Sequence, residues 1–336
     1  MMNFKEIIGH DFVKSGLIDT IKSKKISHAY IFDGSEGIGK LKCAKIFASG
    51  ILCEDFSSDL CGVCNTCRLT KGDVHPDLKV LDLTIAEDGK QRASISVESI
   101  RQFKKEVYLK PFYNGRKIYI LENAEKMTVE AQNAMLKIFE EPPSYITIIL
   151  ITNGLSKILS TIKSRAVIYK FGNLNPKELE NYLNKYYNDI DNKNVYANIS
   201  GGSISKMIEL ISDEESLKFR DKVLDAFYEL INNSNKTAIN GLFDIFMKNK
   251  DLKNDIIKLM SLLVMDIAYI KASHENAVVN VDIKDKLDLL VTKLSISNIF
   301  NIEKILVDLN EQITKNANYK LAVLNSILNI REEIHD

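Results

Sequence analysis

The sequence predicts an α/β domain built on a parallel sheet, followed by an all-helical C-terminal region. From residue 29 to about 171, short β-type runs alternate with helical stretches, an order typical of a mostly parallel sheet with helices on both faces. A glycine-rich loop of the phosphate-binding type follows the first of these runs. After Phe171 the strand patterns stop, and apolar residues recur at helical spacing.

Length and charge set the number of domains and the classes of partner. A chain of 336 residues is long enough for two or three domains. Basic and acidic residues both number 45, so the basic field of a protein that binds nucleic acid unaided is missing from the sequence. No apolar run approaches the roughly 20 residues that span a bilayer. The start MMNFKEIIGHDF lacks the layout of a signal peptide. We therefore expect a cytoplasmic protein without a membrane partner.

The order of elements divides the chain into three parts. Residues 1–172 contain an N-terminal helix and five strand candidates: AYIF, DLKVLDL, KIYIL, YITIILIT and AVIYKF. Asn175 and Pro176 then open a short helical block, 173–212, because proline is tolerated at the first helical position. Residues 213–336 carry apolar stripes such as NDIIKLMSLLVMDIAYI, whose burial predicts a helical bundle rather than a cofactor or membrane surface.

Four of the five cysteines crowd into residues 53–67. Cys53, Cys61, Cys64 and Cys67 form the pattern C-x7-C-x2-C-x2-C, which in a reducing compartment favours metal over disulfides. Four thiolates complete the tetrahedral shell of one Zn²⁺ and leave no position for water, so a structural zinc site is predicted. A redox pair within C-x2-C is the competing interpretation.

The loop GSEGIGKL spans residues 34–41 and lies between a predicted strand and a predicted helix. Gly34, Gly39 and Lys40 occupy the fixed positions of G-x-x-x-x-G-K-[ST], and Gly37 adds a further glycine. Backbone N–H groups of such a loop wrap phosphates, and the lysine meets the terminal phosphates. Leu41 replaces the hydroxyl that would bind Mg²⁺. The alternative is a bare turn with a surface lysine.

Several segments in one order carry a family resemblance: SHAYIFDGSEGIGK, the cysteine insert, HPDL, KIYILENAEKMTVEAQNAMLKIFEEPP and the Ser164–Arg165 pair. Together they resemble the delta-prime subunits of the bacterial DNA polymerase III clamp loader, in the AAA+ superfamily. The resemblance implies an AAA+ domain with a zinc module, a helical lid domain and a C-terminal collar. The implied partners are the loader's motor subunits, its delta subunit, the sliding clamp and, through the assembled complex, primed DNA.

This chain departs from the hydrolysing members of that family at three points. Glu122 and Asn123 follow the strand KIYIL where those members have Asp-Glu, so the water-polarising carboxylate has become an amide. Leu41 lacks the Mg²⁺ ligand, and Ser205 stands where an arginine would contact the nucleotide. We therefore expect no ATP hydrolysis by this chain, although Lys40 and the glycines could still hold a nucleotide weakly.

The Ser164–Arg165 pair is implied by the resemblance to act in a neighbouring subunit. In clamp loaders this arginine reaches the ATP site of the next subunit, where it places a fixed charge on the phosphoryl transition state. Here Ala166 follows it in place of the usual cysteine. Outside the resemblance, Arg165 would be interpreted as an ordinary surface residue.

The sequence thus favours a non-hydrolysing stator of the clamp loader, a subunit of the DNA polymerase III holoenzyme. Two rival functions remain open at this point. One is an ATP-hydrolysing motor subunit of the same loader, and the other is a nucleic-acid-binding module based on the zinc insert.

Overall fold

The computed structural model describes residues 3–57, 59–85, 91–113, 115–190, 193–233, 235–315 and 318–335, with the backbone alone at Glu214, Asn276 and His335. The chain forms two compact units. The first comprises the described residues of Met1–Asn188 together with Gly201–Lys206. The second comprises those of Asp189–Ser200 and Met207–Asp336. The predicted boundaries at 172/173 and 212/213 do not coincide with this division, and the three-part organisation stays a prediction.

The first unit alternates strands and helices along the chain, as the sequence predicts. In order they are α1 (Asp11–Lys22), β1 (Ala29–Asp33), α2 (Lys40–Leu52), α3 (Asn65–Lys71), β2 (Leu78–Leu81), α4 (Val97–Val107), β3 (Lys117–Leu121), α5 (Val129–Glu140), β4 (Ile146–Thr152), α6 (Ser160–Lys163), β5 (Val167–Lys170) and α7 (Pro176–Tyr186). All five predicted strands are present, and Pro176 opens α7 with an Asn175 capping box.

The five strands form one sheet in the order β2-β3-β4-β1-β5, and every pair is parallel. Successive side chains point to opposite faces, so each central strand serves two apolar cores. Ile31 and Tyr119 pack on the face covered by α4, α5 and α6. Tyr30 and Ile120 pack on the face covered by α1 and α2. The carboxyl ends of β1, β3 and β4 therefore meet at one edge, the usual place for a ligand site in such sheets.

The second unit is helical, which confirms the predicted all-α C-terminal region. Its helices are α8 (Lys193–Ile199), the later part of α9 (Ile204–Ser212), α10 (Glu214–Asn232), α11 (Lys236–Lys248), α12 (Lys253–Lys271), α13 (Lys284–Lys293), α14 (Ile296–Thr314) and α15 (Tyr319–His335). The apolar stripes of α10 to α15 meet in one core around Phe227, Phe246 and Leu306. Across the described residues, no helix is long and apolar enough to cross a membrane.

Candidate metal centre and phosphate-loop site

The four cysteines of the insert converge on one point. Cys53 follows α2 directly, Cys61 and Cys64 lie in the loop before α3, and Cys67 lies within α3. All four Sγ atoms lie within 4.8 Å of one another, with 3.6 Å between Cys67 and Cys53 and 3.8 Å between Cys61 and Cys67. A tetrahedral zinc ion with Zn–S bonds of about 2.3 Å places its sulfurs about 3.8 Å apart. The cluster can bind a metal ion, and its spacing is compatible with zinc.

Backbone N–H groups already point at the sulfurs. The Cys64 N–H donates to Cys61 Sγ at 3.4 Å, and the Cys67 N–H donates to Cys64 Sγ at 3.4 Å. The backbone N–H groups of Val63 and Cys64 lower the pKa of the Cys61 thiol to about 6. Burial instead raises the pKa of Cys67. A metal ion binds cysteine in its thiolate form. Because the N–H groups of Cys64 and Cys67 donate to Cys61 Sγ and Cys64 Sγ, they stabilise negative charge on two of the four sulfurs.

The insert is fastened to the N-terminal segment of the chain. Both carboxylate oxygens of Asp59 accept from the Phe4 backbone N–H at 3.1 Å. The buried Phe4 ring meets Phe56 edge-on, with 6.4 Å between the ring centroids. The loop between the first two cysteines is therefore held by contacts outside the cysteine cluster.

The glycine-rich loop connects β1 to α2, and α2 begins at Lys40 as expected. Gly37 and Gly39 have φ of +74° and +100°, in the left-handed region that side chains disfavour. A Cβ at Gly37 would also overlap the side chains of Ser203 and Ser205. Gly34 is equally confined, because a Cβ there would meet the Phe171 carbonyl oxygen at 2.5 Å. The glycines are thus required by the backbone path and by close neighbours.

Lys40 is almost completely buried, with 5% of its surface exposed. Its ammonium donates to the Gly34 carbonyl at 2.6 Å, to the Ser35 carbonyl at 2.5 Å and to Asn153 Oδ1 at 2.8 Å. Burial lowers the pKa of Lys40, and the nearby Glu125 carboxylate opposes that shift. All three N–H donors have acceptors within the chain. A phosphate could reach this cation only by displacing one of them.

Asn153 and Glu125 are not among the site residues predicted from the sequence. The backbone N–H of Asn153 donates to Glu125 Oε2 at 3.1 Å, and its Nδ2 donates to Oε1 at 3.4 Å. Asn153 comes directly after β4, which pairs with β1 in the sheet. Because the ends of neighbouring parallel strands meet at one edge, a polar residue at that position was the available signal.

Asn123 contacts a different carboxylate, that of Asp82, and the charge of Asp82 also acts on Glu122. Asn123 lies in the left-handed region with φ of 56°, and its Nδ2 donates to Asp82 Oδ2 at 3.0 Å. Burial raises the pKa of Glu122, with Asp82 adding to the shift and Lys45 opposing it. The structure therefore links Asn123 to Asp82, whereas Lys40 is linked to Glu125 through Asn153.

The remaining predicted residues of the loop site have apolar or backbone contacts. The Leu41 side chain packs against the core between β1 and α2, so its environment is apolar. The backbone N–H of Ser205 donates to the Gly37 carbonyl at 3.2 Å. The segment predicted to correspond to a nucleotide sensor thus lies directly against the glycine-rich loop.

Arg165 lies just beyond the end of α6, and its side chain is 37% exposed. Its Nη1 donates to the Thr161 carbonyl at 3.0 Å and to Ser164 Oγ at 3.4 Å. Its Nη2 donates to Glu140 Oε1 at 3.1 Å. Among the described residues, these partners belong to α5, α6 and the turn after α6 rather than to the glycine-rich loop. Arg165 and Lys40 of this chain therefore share no hydrogen-bond partner among the described residues.

Two protein-family models match this chain. The one described as "DNA polymerase III, delta subunit" matches residues 9–175, and the one described as "DNA polymerase III, delta subunit, C terminal" matches residues 214–332. Together they span most of the sequence, including all five strands and helices α10 to α14 with most of α15.

Several known proteins are also similar to this chain. The delta-prime subunit of DNA polymerase III from Bacillus subtilis (strain 168) is 25% identical over 319 residues, which cover 94% of each chain. The gamma/tau subunit from Mycobacterium tuberculosis (strain ATCC 25618 / H37Rv) is 30% identical over 182 residues, which cover 54% of this chain and 30% of that relative. The solved Bacillus subtilis DNA clamp loader delta protein aligns with a TM-score of 0.36 at 14% identity, covering 95% of this chain and 99% of that one. The protein belongs to the delta-prime family of DNA polymerase III clamp-loader subunits.

Proposed function

We propose that this clamp-loader subunit is a stator that does not hydrolyse ATP and that supplies Arg165 in trans to a neighbouring ATPase subunit. The observation that carries the proposal is the geometry of Arg165. Its guanidinium is partly exposed, and three bonds to its own chain fix its orientation. Among the described residues, no acceptor is recorded for the Nε–H or for the second N–H of Nη2. Two donors are thus left for the phosphate of a partner.

The chain's own loop site supports the second half of the proposal. Lys40 makes three internal bonds, and Leu41 offers no oxygen to Mg²⁺. Asn123 supplies an amide where a hydrolysing subunit needs a carboxylate, and that amide is bonded to Asp82. These features favour a site that neither binds Mg²⁺-ATP firmly nor turns it over.

We propose further that Cys53, Cys61, Cys64 and Cys67 hold one Zn²⁺ in a structural role, because four sulfurs fill a tetrahedral shell. The partners inferred from the family are the ATP-binding motor subunits, the delta subunit, the sliding clamp and primed DNA within the assembled loader. In this scheme residues 213–336 form the collar, residues 173–212 form the lid, and the protein works in the cytoplasm.

The test is Arg165→Ala in a loader reconstituted from the subunits of the chain's own host. An arginine finger is worth up to about 10³–10⁵ in turnover at the site that it serves. Because other interfaces keep their own fingers, the total ATPase rate and the rate of clamp loading should fall only in part. Lysine at this position should rescue poorly, since it lacks the planar two-pronged donor geometry.

Lys163→Ala is the matched control, because Lys163 is a cation at the last position of α6, two residues before Arg165. That variant should hydrolyse ATP and load clamps like the wild type. Assembly and zinc content should be unchanged in both variants. Wild-type rates in a fully assembled Arg165→Ala loader would show that the subunit acts through its shape alone.

A further inference from the structure

Glu140 is the last residue of α5, and its carboxylate faces the guanidinium of Arg165. Glu140 Oε1 accepts from Arg165 Nη2 at 3.1 Å, with 49% of the glutamate side chain and 37% of the arginine side chain exposed. The Thr161 carbonyl accepts from Nη1 on the other side of the guanidinium. The two acceptors therefore hold two different nitrogens of one planar group.

The elements that carry these two residues are locked together by a buried amide. Gln132 of α5 is 2% exposed, and its Nε2 donates to the carbonyls of Met127 and Lys157 at 3.2 and 3.0 Å. Its Oε1 accepts from the Leu159 N–H at 2.8 Å. Lys157 and Leu159 lead directly into α6, so the hydrogen bonds of Gln132 tie the first turns of α5 to the segment that enters α6.

We propose that Glu140 is a positioning residue for Arg165: it holds the guanidinium so that the Nε–H and the free N–H of Nη2 face outward. This inference rests on the proposed role of Arg165 in trans. A free arginine side chain has several rotatable bonds, and ordering them upon contact with a phosphate costs conformational entropy. A side chain already held by Glu140 and Thr161 loses less of that freedom, which favours catalysis by pre-organisation.

The size of the effect follows from the exposure of the pair. Exposed ion pairs contribute little free energy, and salt screens them. We therefore expect Glu140→Ala to lower the finger-dependent part of the ATPase rate by about 2- to 5-fold, well short of the loss caused by Arg165→Ala. Glu140→Gln keeps an oxygen acceptor for Nη2 and should restore most of the rate. Rescue by glutamine would show that Glu140 acts by positioning the Arg165 guanidinium and that the negative charge of Glu140 is not required.

The experiment measures ATP hydrolysis by the reconstituted loader, with clamp and primed DNA present, for the variants Glu140→Ala, Glu140→Gln, Arg165→Ala and the double variant Glu140→Ala with Arg165→Ala. The matched control is Glu141→Ala, which removes the same charge from the next, exposed position. If Glu140 acts through Arg165, the double variant should be no slower than Arg165→Ala alone, because the two changes remove one unit of function.

The other possible results distinguish a failure of the positioning role of Glu140 from a failure of the finger role of Arg165. An effect of Arg165→Ala with a wild-type rate for Glu140→Ala would overturn the positioning role and leave the finger in place. A faster rate for Glu140→Ala would mean that the carboxylate restrains the arginine, which also overturns the proposal. No effect of Arg165→Ala would instead refute the proposed function on which the inference rests.

Discussion

The cysteine insert and the glycine-rich loop lie at opposite ends of the same helix, α2, and the groups that could bind a ligand have different surroundings at the two ends. At the C-terminal end, four sulfurs within 4.8 Å of one another retain the geometry of a metal shell. At the N-terminal end, the one cation of the loop has its three donors bonded within the chain. The comparison shows a sulfur cluster that could hold a metal ion at one end of α2 and, at the other end, a lysine whose donors are all bonded within the protein.

Exposure accounts for part of the difference between the two ends. Cys53, Cys61 and Cys64 are half-buried at the surface, where a metal ion can enter. Lys40 is enclosed, and a buried ammonium must find acceptors because burial without them is costly. The loop carbonyls and Asn153 meet that need at the N-terminal end of α2. An internal hydrogen-bond network thus satisfies the Lys40 ammonium.

The largest effect is expected from Cys64→Ser, which tests the metal side of the comparison. The wild-type chain, purified without chelator, should carry about one Zn²⁺, and the variant should carry almost none, because three thiolates and a hydroxyl bind zinc poorly. The insert should loosen while the sheet domain stays folded, since all four ligands lie in one short segment. Elemental analysis gives the metal content, and amide hydrogen exchange locates the loosened residues.

Cys43→Ala provides the control for the loss of a cysteine. Cys43 is fully buried in the core beside α1, away from the cluster, and burial raises the pKa of its thiol to about 12. This variant should keep its zinc. A wild-type chain without zinc, or a Cys64→Ser chain with a full complement, would remove the contrast between the two ends of α2.

The two ends of α2 also differ in how much of their structure could be predicted from the sequence alone. All five strands and the parallel sheet were predicted, because each strand is a short apolar run with its own boundary signals. The metal cluster was equally accessible, since its four ligands lie within residues 53–67. Both are local patterns, and local patterns can be recognised without knowing which distant segments meet.

The partners of Lys40 and Arg165 could not be found in this way. Asn153 is separated from Lys40 by 113 positions, and Glu140 is separated from Arg165 by 25. The sheet order β2-β3-β4-β1-β5 brings the end of β4 beside the end of β1. No single segment of the sequence determines that order. Which polar groups satisfy a buried cation depends on such non-local pairing.

The second effect in size is expected from Lys40→Met, which tests the loop side. Methionine keeps most of the apolar stem but removes three donors, so the Gly34 and Ser35 carbonyls and Asn153 Oδ1 lose their partner. Leaving buried acceptors unsatisfied should lower the free energy of unfolding by about 1–3 kcal/mol. Urea denaturation measures that loss. ATP turnover by the isolated chain should stay at background before and after the change.

Lys42→Met is the matched control within α2, because Lys42 is half-exposed and pairs with Glu6 at 3.6 Å. That change should cost less than about 0.5 kcal/mol. Robust turnover by the isolated wild-type chain, abolished by Lys40→Met, would instead assign this protein to the hydrolysing motor subunits.

The smallest effect is expected from Glu122→Gln, and it has a distinctive pH dependence. Burial, reinforced by Asp82, raises the pKa of Glu122 above its usual value of 4.5, so folding favours the protonated acid. A raised carboxyl pKa means that stability is greatest below the unfolded value and is lost as the pH rises through the folded value. Glutamine does not titrate, so the variant should escape this loss.

Glu122→Gln should therefore be more stable than the wild type at about pH 7, by less than about 1 kcal/mol because the site is partly screened by solvent. The difference should disappear below about pH 4, where both side chains are neutral. Urea denaturation across this pH range measures it, and Glu141→Gln, at an exposed position, should show no comparable trend. A variant that is less stable than the wild type at neutral pH would mean that the Glu122 carboxylate is held ionised by a favourable contact. The edge of the sheet beside Asp82 would then favour a bound cation, in contrast to the loop end, where Lys40 itself supplies the positive charge.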